Sequence, residues 1–311
     1  MDNLHKDKLY PSLKAELFTK SKLLRNIKVI DFLKKKNIQC LKDQDYNENV
    51  SPFKDVLKRI MVNKCYTPNH SWEISYNYKN SQGVVKINLH NRFNPEKPSL
   101  IYHHGLGEIY FPLQMNFVFD RSFVDKFNLF SIKASHHDRI RQVINSYINN
   151  YANLTSAIAA SLWAVEEVVK LHKQLASTYI VACGASLGGI VTSLHYYFKC
   201  SADLYFPIIS HPDLSKILLD PGYKNIVENQ EFIKNNNSII NCFKIPKRLM
   251  SRNKSKIFPI LGKYDMTINY KDSQKWWKNY QVLTLNAGHT SIFAKKEDIQ
   301  NFIISKLIFT V

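Results

Sequence analysis

The sequence lacks the features of membrane-spanning, secreted and disulfide-stabilised proteins. No apolar run reaches the roughly 18 residues that a transmembrane helix needs. Residues 1–20 mix charges throughout and contain no apolar h-region, which argues against a secretory signal. The five cysteines, at positions 40, 65, 183, 200 and 242, form no CxxC pair, so we expect neither a disulfide framework nor a cysteine zinc site. We therefore expect a reducing compartment, cytoplasmic by default, with signal-independent export as the alternative.

Acidic residues are also few, with 25 Asp and Glu against 43 Lys and Arg and a net charge of +18. Residues 1–60 and residues 216–256 each carry a net charge of +6. Such a balance is typical of proteins with anionic partners, which include nucleic acid, anionic lipid and acidic substrates. The sequence contains no zinc-finger spacing, RNA-binding aromatic signature or GxxxxGK[ST] loop. It therefore gives no support to nucleic-acid binding or nucleotide hydrolysis.

Residues 1–65 have the pattern of a basic helical N-terminal extension. Apolar residues recur there at roughly helical spacing among lysines, which predicts a helix that packs on its own domain or lies on a membrane surface. These apolar positions are Leu9, Leu13, Leu17, Leu23, Leu24, Ile27, Ile30, Phe32 and Leu33.

Residues 66–311 predict one α/β domain. Residues 72–78 and 84–89 alternate with period two around a turn, which indicates a hairpin. Strands buried on both faces read as short apolar runs, and such runs alternate here with helical stretches, the clearest over 154–175. We therefore expect a mostly parallel central sheet with an antiparallel N-terminal hairpin and helices on both faces. The apolar runs are 100–103, 127–132, 179–183, 204–209, 257–261 and 281–285.

Residues 211–256 interrupt this alternation with about 45 polar, Asn-rich and basic positions. Loops of that length are usually functional or carry their own elements, so we interpret this one as a helical, cap-like insertion over the C-terminal edge of the sheet. Its basic end forms either solvated surface or a contact with an anionic membrane. The cations in that end are Lys244, Lys247, Arg248, Arg252, Lys254 and Lys256.

The strongest motif is Gly184-Ala185-Ser186-Leu187-Gly188, which directly follows the apolar run 179–183 and precedes a helical stretch. A serine nucleophile must stand exposed at a sharp strand-to-helix turn. Glycines two residues to either side remove the side chains that would clash in such a turn. The N-terminus of the following helix directs backbone N–H groups towards a developing anion.

This arrangement resembles the α/β-hydrolase superfamily, in particular its esterase-like and lipase-like serine hydrolases, over about residues 70–311. The resemblance implies the chain order nucleophile, acid, histidine. Asp265 lies 79 residues after Ser186 and follows an apolar run, and His289 lies 24 residues further on, after the last run. Asp213, which follows the preceding run, is a second candidate for the acid.

The resemblance also implies a role for each of these residues. Ser186 would attack an ester carbonyl, His289 would accept and return the proton, and Asp265 would orient the imidazole. The family places an oxyanion-hole donor in a His-Gly loop, which matches His104-Gly105-Leu106 here. The backbone N–H groups of Leu187 and Leu106 would then bind the oxyanion. No cofactor or metal is implied.

Two further groups of residues admit a functional and a structural interpretation. His136, His137 and Asp138 follow an apolar run and suggest a metal, but adjacent histidines point in different directions, so a polar loop is favoured. A set of phenylalanines after the His-Gly loop either lines an acyl pocket or faces the core, and the core is the default. These are Phe111, Phe117, Phe119, Phe123 and Phe127.

The sequence therefore predicts a serine hydrolase that cleaves carboxylic esters, with a preference for lipid or long-chain acyl substrates. A thioesterase or an acyltransferase would use the same residues. A binding protein on a hydrolase fold remains a different class of alternative, although such proteins typically lose a member of the triad.

Overall fold

The computed structural model describes residues 33, 35–36, 38–42, 50–67, 71–109, 111–220, 223 and 227–308. Within these residues, nine strands form one sheet in the order β1-β2-β3-β5-β4-β6-β7-β8-β9. The strands are Met61–Thr67 (β1), Ser71–Tyr78 (β2), Ser81–Leu89 (β3), Ser99–His103 (β4), Asn128–Lys133 (β5), Ile180–Ala185 (β6), Leu204–Ile208 (β7), Ile260–Gly262 (β8) and Leu283–Leu285 (β9).

The pairing directions confirm the expected fold class. The first three pairs, β1 with β2, β2 with β3 and β3 with β5, are antiparallel, and every pair from β5 to β9 is parallel. The hairpin and the six apolar runs of the sequence correspond to β2 through β9. Because parallel strands end at one edge of the sheet, the loops after β4, β6, β7, β8 and β9 converge there.

Strand β1 is a correction to the sequence analysis, which assigned residues 61–65 to the helical extension. Met61 and Tyr66 are exposed at this edge of the sheet. Most residues of β1 are exposed, so its sequence lacks the alternation of apolar and polar residues by which a half-buried strand is recognised. The strand forms through its pairing with β2. The helical positions from Leu9 to Phe32 lie outside the described residues, so the remaining prediction for the extension is untested.

Helices cover both faces of the sheet, and each face has its own apolar cluster. The helices α5 and α6 pack on one face, and α2, α3 and α11 pack on the other. The helices are Phe53–Arg59 (α1), Leu113–Val118 (α2), Arg121–Val124 (α3), Ile140–Gln142 (α4), Tyr151–Leu175 (α5), Leu187–Phe198 (α6), Leu214–Leu218 (α7), Gln230–Asn235 (α8), Asn237–Phe243 (α9), Tyr270–Trp277 (α10) and Lys296–Ile308 (α11).

The central strands have apolar side chains on both faces, which explains why each of them appears in the sequence as a continuous apolar run. In β4, Leu100 and Tyr102 point into one cluster and Ile101 into the other. Residues 157–161 of α5 are small apart from Ile158 and are all fully buried, which lets the helix lie close to the sheet. Of the helices in the described part of the chain, none is long and apolar enough to cross a membrane. The insertion 211–256 contains the short helices α7, α8 and α9.

Candidate active site

Ser186 stands at the turn between β6 and α6. Its backbone has φ 54° and ψ −112°, a region that L-residues rarely adopt and that stores strain. The Ser186 N–H donates to the carbonyl of Ile208 on β7 at 2.9 Å, and the Ser186 carbonyl accepts from the N–H of Ile190 at 2.9 Å. These backbone bonds hold the strained turn between the strand and the helix.

The two glycines of the motif are required by close approach of the backbone. A Cβ on Gly184 would lie 2.4 Å from the carbonyl oxygen of Gly188. A Cβ on Gly188 would lie 1.9 Å from the carbonyl oxygen of His103. Both distances are shorter than any real contact of a Cβ atom. Only glycine therefore fits at either position, as the spacing of the motif predicts.

The structure brings Ser186, His289 and Asp265 together in a hydrogen-bonded row. The Ser186 Oγ lies 3.0 Å from His289 Nε2, and His289 Nδ1 lies 2.8 Å from Asp265 Oδ2. A carboxylate can only accept, so Nδ1 carries the proton and Nε2 is left to accept from the serine hydroxyl. Asp265 and His289 follow β8 and β9, so the common edge of the sheet positions both.

The acid is itself oriented by the backbone. Asp265 Oδ1 accepts the N–H groups of Thr267 and Ile268 at 2.8 and 2.9 Å. The other oxygen, Oδ2, is therefore directed at His289. On the histidine side, the N–H of Gly288 donates to Ser291 Oγ at 2.7 Å, which fixes the loop after β9. The acid and the loop that carries the histidine are thus each held by local hydrogen bonds.

Asp213, the second candidate for the acid, is occupied elsewhere. Its Oδ1 accepts from the N–H and the hydroxyl of Ser215 at 2.9 and 2.6 Å. Asp213 is the N-cap of α7, a role in which aspartate is strongly preferred. The histidine bonds to Asp265 instead.

The two residues whose amides are expected to bind an oxyanion line the same pocket as Ser186. Leu187 is the first residue of α6, so its N–H has no acceptor within the helix. Leu106 follows β4 and lines the same pocket as Ser186 and Leu187.

Sequence reasoning missed Gln114, which holds the loop that carries Leu106. Gln114 Oε1 accepts the N–H of Gly105 and the hydroxyl of Tyr102, both at 2.9 Å. The Gln114 N–H in turn donates to Glu108 Oε1 at 2.6 Å. Burial raises the pKa of the Glu108 carboxyl to about 8. Gln114 is one of two polar residues, with Asn116, in an otherwise apolar helix, and no motif in the sequence marks it.

Three buried histidines lie together at this loop. The ring centroids of His103 and His104 are 5.1 Å apart, and those of His104 and His137 are 4.8 Å apart. His104 Nε2 accepts the N–H of Ala134 at 2.9 Å, so its Nδ1–H donates to the carbonyl of Gly105 at 2.7 Å. Burial lowers the pKa of His103 to about 4 and that of His137 to about 3, and it lowers the pKa of His104 as well. All three rings are therefore neutral at pH 7.

The His136-His137-Asp138 group has diverging contacts. The ring nitrogens of His136 and His137 bond to the carbonyls of Gln82 and Ser135, and Asp138 pairs with Lys133 at 2.5 Å. Across the residues that the structure describes, no cluster of His, Cys, Asp or Glu could hold a metal ion.

An apolar pocket opens beside Ser186. It encloses about 790 Å³ of empty space, including its opening to solvent. Its wall comes from α5, α6, α7, the loop after β8 and the N-terminal segment. The lining side chains are Leu33, Cys40, Leu41, Leu106, Ile148, Leu154, Ile158, Ser186, Leu187, Ile190, Leu214, Ile217, Leu218, Tyr223, Val227, Thr267 and Ile268.

The phenylalanines after the His-Gly loop do not line this pocket, so the acyl-pocket interpretation of that segment is wrong. Phe119, Phe123 and Phe127 are at most 2% exposed and belong to the apolar cluster under α2, α3 and α11. The rings of Phe119 and Phe123 stack with centroids 5.0 Å apart. Their helical spacing therefore reflects packing of the core.

Solved structures of the same fold resemble this chain. Est1E from Butyrivibrio proteoclasticus matches with a TM-score of 0.51 and 13% identity over 76% of this chain and 99% of its own. Its complex with ferulic acid matches equally, over 75% and 99%. An acetyl xylan esterase from Paenibacillus sp. R4 matches with a TM-score of 0.50 and 12% identity over 86% and 96%. No protein-family model and no curated protein matches the sequence.

Proposed function

Because the chain has the α/β-hydrolase fold, we propose that it is a serine hydrolase that cleaves carboxylic esters. The observation that carries the proposal is the hydrogen-bonded row of Ser186, His289 and Asp265 at the strand ends. The strained backbone of Ser186, which holds its hydroxyl at the mouth of an apolar pocket, supports the same function.

The reaction follows from the hydrogen bonds of the row. The Ser186 Oγ attacks the ester carbonyl while His289 Nε2 takes the hydroxyl proton, and Asp265 stabilises the imidazolium. The N–H groups of Leu187 and Leu106 stabilise the oxyanion of the tetrahedral intermediate. His289 then protonates the leaving alcohol, which leaves an acyl-enzyme on Ser186. Water, activated by the same histidine, attacks the acyl carbonyl, and Ser186 regains its proton as the carboxylic acid leaves.

The finer expectations differ in their support. The apolar pocket favours lipid or long-chain acyl substrates. A thioesterase or an acyltransferase would keep the same row and change only the leaving group or the acceptor. Contact with an anionic membrane stays a prediction, to which the exposed Lys247, Arg248 and Met250 of the insertion contribute.

A fluorophosphonate probe tests the proposal through two matched substitutions. We expect the probe to modify the wild-type protein at Ser186. Asp265→Asn should slow the labelling about 10⁴-fold, because the amide favours the wrong tautomer of His289. Asp213→Asn should label at nearly the wild-type rate, because asparagine caps α7 as well as aspartate does. The rates are measured by mass spectrometry of the intact protein.

Each outcome has a definite meaning. A folded wild-type protein that neither reacts with the probe nor hydrolyses any ester of a panel contradicts the proposal. Slow labelling of Asp213→Asn with normal labelling of Asp265→Asn would instead assign the acid to Asp213.

Gln114 is a positioning residue in this scheme. Gln114→Ala removes the acceptor for Gly105 N–H and Tyr102 O–H, which frees the loop that aims the Leu106 amide. Since losing one oxyanion donor costs about 10²–10³ in rate, we expect kcat to fall at least about tenfold with little change in KM. Asn116→Ala, on the exposed side of the same helix, is the control. Equal changes in kcat for the two variants would remove Gln114 from this role.

A further inference from the structure

The wall of the apolar pocket is closed by two segments far apart in the chain. Cys40 and Val227 form a parallel β-bridge, and the N–H of Glu228 donates to the carbonyl of Cys40 at 3.2 Å. On the other side, the N–H groups of Leu41 and Lys42 donate to the carbonyls of residues 148 and 149 at 2.9 and 2.7 Å. The N-terminal segment 38–42 is therefore bonded both to the insertion and to the chain before α5.

The side chains at this junction face the same pocket as Ser186. Leu33, Leu41 and Cys40 are 1%, 2% and 4% exposed, and Val227 is 3% exposed. All four line the pocket. Leu33, Cys40 and Leu41, which the sequence analysis assigned to the N-terminal extension, thus line the same pocket as Ser186.

The chemistry of the wall restricts what can enter. Among the residues that the structure describes, no charged side chain lines the pocket, and the polar side chains that line it are Ser186, Tyr223 and Thr267. Burial raises the pKa of the Cys40 thiol to about 12, so this side chain is a neutral group of small volume. A charged or strongly polar group would lose its hydration here without a partner.

We propose that this pocket binds the unbranched aliphatic chain of the ester and that Cys40 and Val227, at the junction, are specificity-determining residues that limit chain length. The inference deepens the proposed hydrolysis and rests on it for its kinetic test. A binding test, which needs no turnover, separates the two.

The kinetic test compares p-nitrophenyl acetate with p-nitrophenyl dodecanoate. Cys40→Phe and Val227→Phe each add a ring to the pocket. We expect kcat/KM for the dodecanoate to fall at least about tenfold while that for the acetate stays within about twofold, since a few displaced methylenes change specificity by that much. Val227→Ala should shift the preference towards longer chains. Cys65→Phe, at an exposed position of β1, is the matched control for Cys40→Phe.

Two further measurements separate an effect on the pocket from effects on folding and on turnover. Retained activity on the acetate shows that a variant is folded. Binding of cis-parinaric acid, a fluorescent fatty acid, is measured in the Ser186→Ala background, where Cys40→Phe should raise Kd at least about tenfold and Cys65→Phe should not. Dodecyl acetate, with the long chain in the alcohol, then distinguishes an acyl pocket from an alcohol pocket.

The inference is overturned if the phenylalanine variants, active on the acetate, keep the wild-type chain-length profile. It is also overturned if both esters lose activity by the same factor. If no ester is hydrolysed but Cys40→Phe weakens binding of the fatty acid, the proposed hydrolysis fails and the assignment of the pocket stands.

Discussion

Ser186→Ala is expected to reduce kcat for ester hydrolysis by about 10⁶-fold and to abolish labelling by the fluorophosphonate. The variant lacks the only hydroxyl that His289 Nε2 contacts in the described residues. Removal of the nucleophile from a serine triad costs about that much, because the remaining groups act as a unit with it. Residual catalysis by the oxyanion amides and by substrate binding would leave about 10³-fold over water.

The control for this result is the stability of the variant. The turn at residue 186 is held by backbone bonds to Ile208 and Ile190, which alanine keeps. We therefore expect the thermal midpoint to change by only a few degrees, as measured by circular dichroism. A folded Ser186→Ala protein that retains more than about 1% of the wild-type rate would move the nucleophile elsewhere.

The second large effect is acid destabilisation by the buried histidines His103, His104 and His137. His103, His104 and His137 have depressed pKa values in the folded protein, whereas an unfolded chain titrates near 6.5. Below that pH these histidines are protonated in the unfolded state but stay neutral in the folded state, so the free energy of unfolding falls as the pH falls. Each histidine that stays neutral down to pH 4 costs about 3 kcal/mol there, and the loss is absent above about pH 7.5.

Urea unfolding between pH 7.5 and pH 4.5 measures this dependence. His137→Phe keeps an aromatic ring against His104 and Tyr147 but removes one titrating group. We expect its stability to depend less steeply on pH than that of the wild-type protein, by up to about one proton at pH 5. Parallel curves for wild type and His137→Phe would remove the histidines as the cause.

The hydrogen-bonded row of Ser186, His289 and Asp265 was predictable because its members follow the ends of buried strands. Ser186, Asp265 and His289 each follow an apolar run, and parallel strands bring such positions to one edge whatever the intervening sequence. The glycines of the motif were predictable because the close approach of the backbone leaves no room for a Cβ atom at those two positions. The role of each residue in catalysis stays a prediction.

The pocket was not predictable, because contacts across long separations build it. Cys40 meets Val227 only once the insertion has folded over the sheet, and neither residue has a motif around it. The phenylalanines between β4 and β5 admitted two interpretations, because aromatic side chains suit a core and a ligand site equally well, and the structure agrees with the default, the core. Strand β1 was missed since its residues are exposed at the edge of the sheet.

The junction of residues 38–42 with residues 227–228 has a consequence for redesign. The loops that carry Ser186, Asp265 and His289 belong to the sheet, whereas much of the pocket wall comes from two peripheral segments. Mutational libraries confined to those segments can therefore explore new substrates while the reacting groups keep their geometry. Thr267 and Ile268 are the exception, because they line the pocket and also donate to Asp265, so backbone changes there would alter selectivity and rate together.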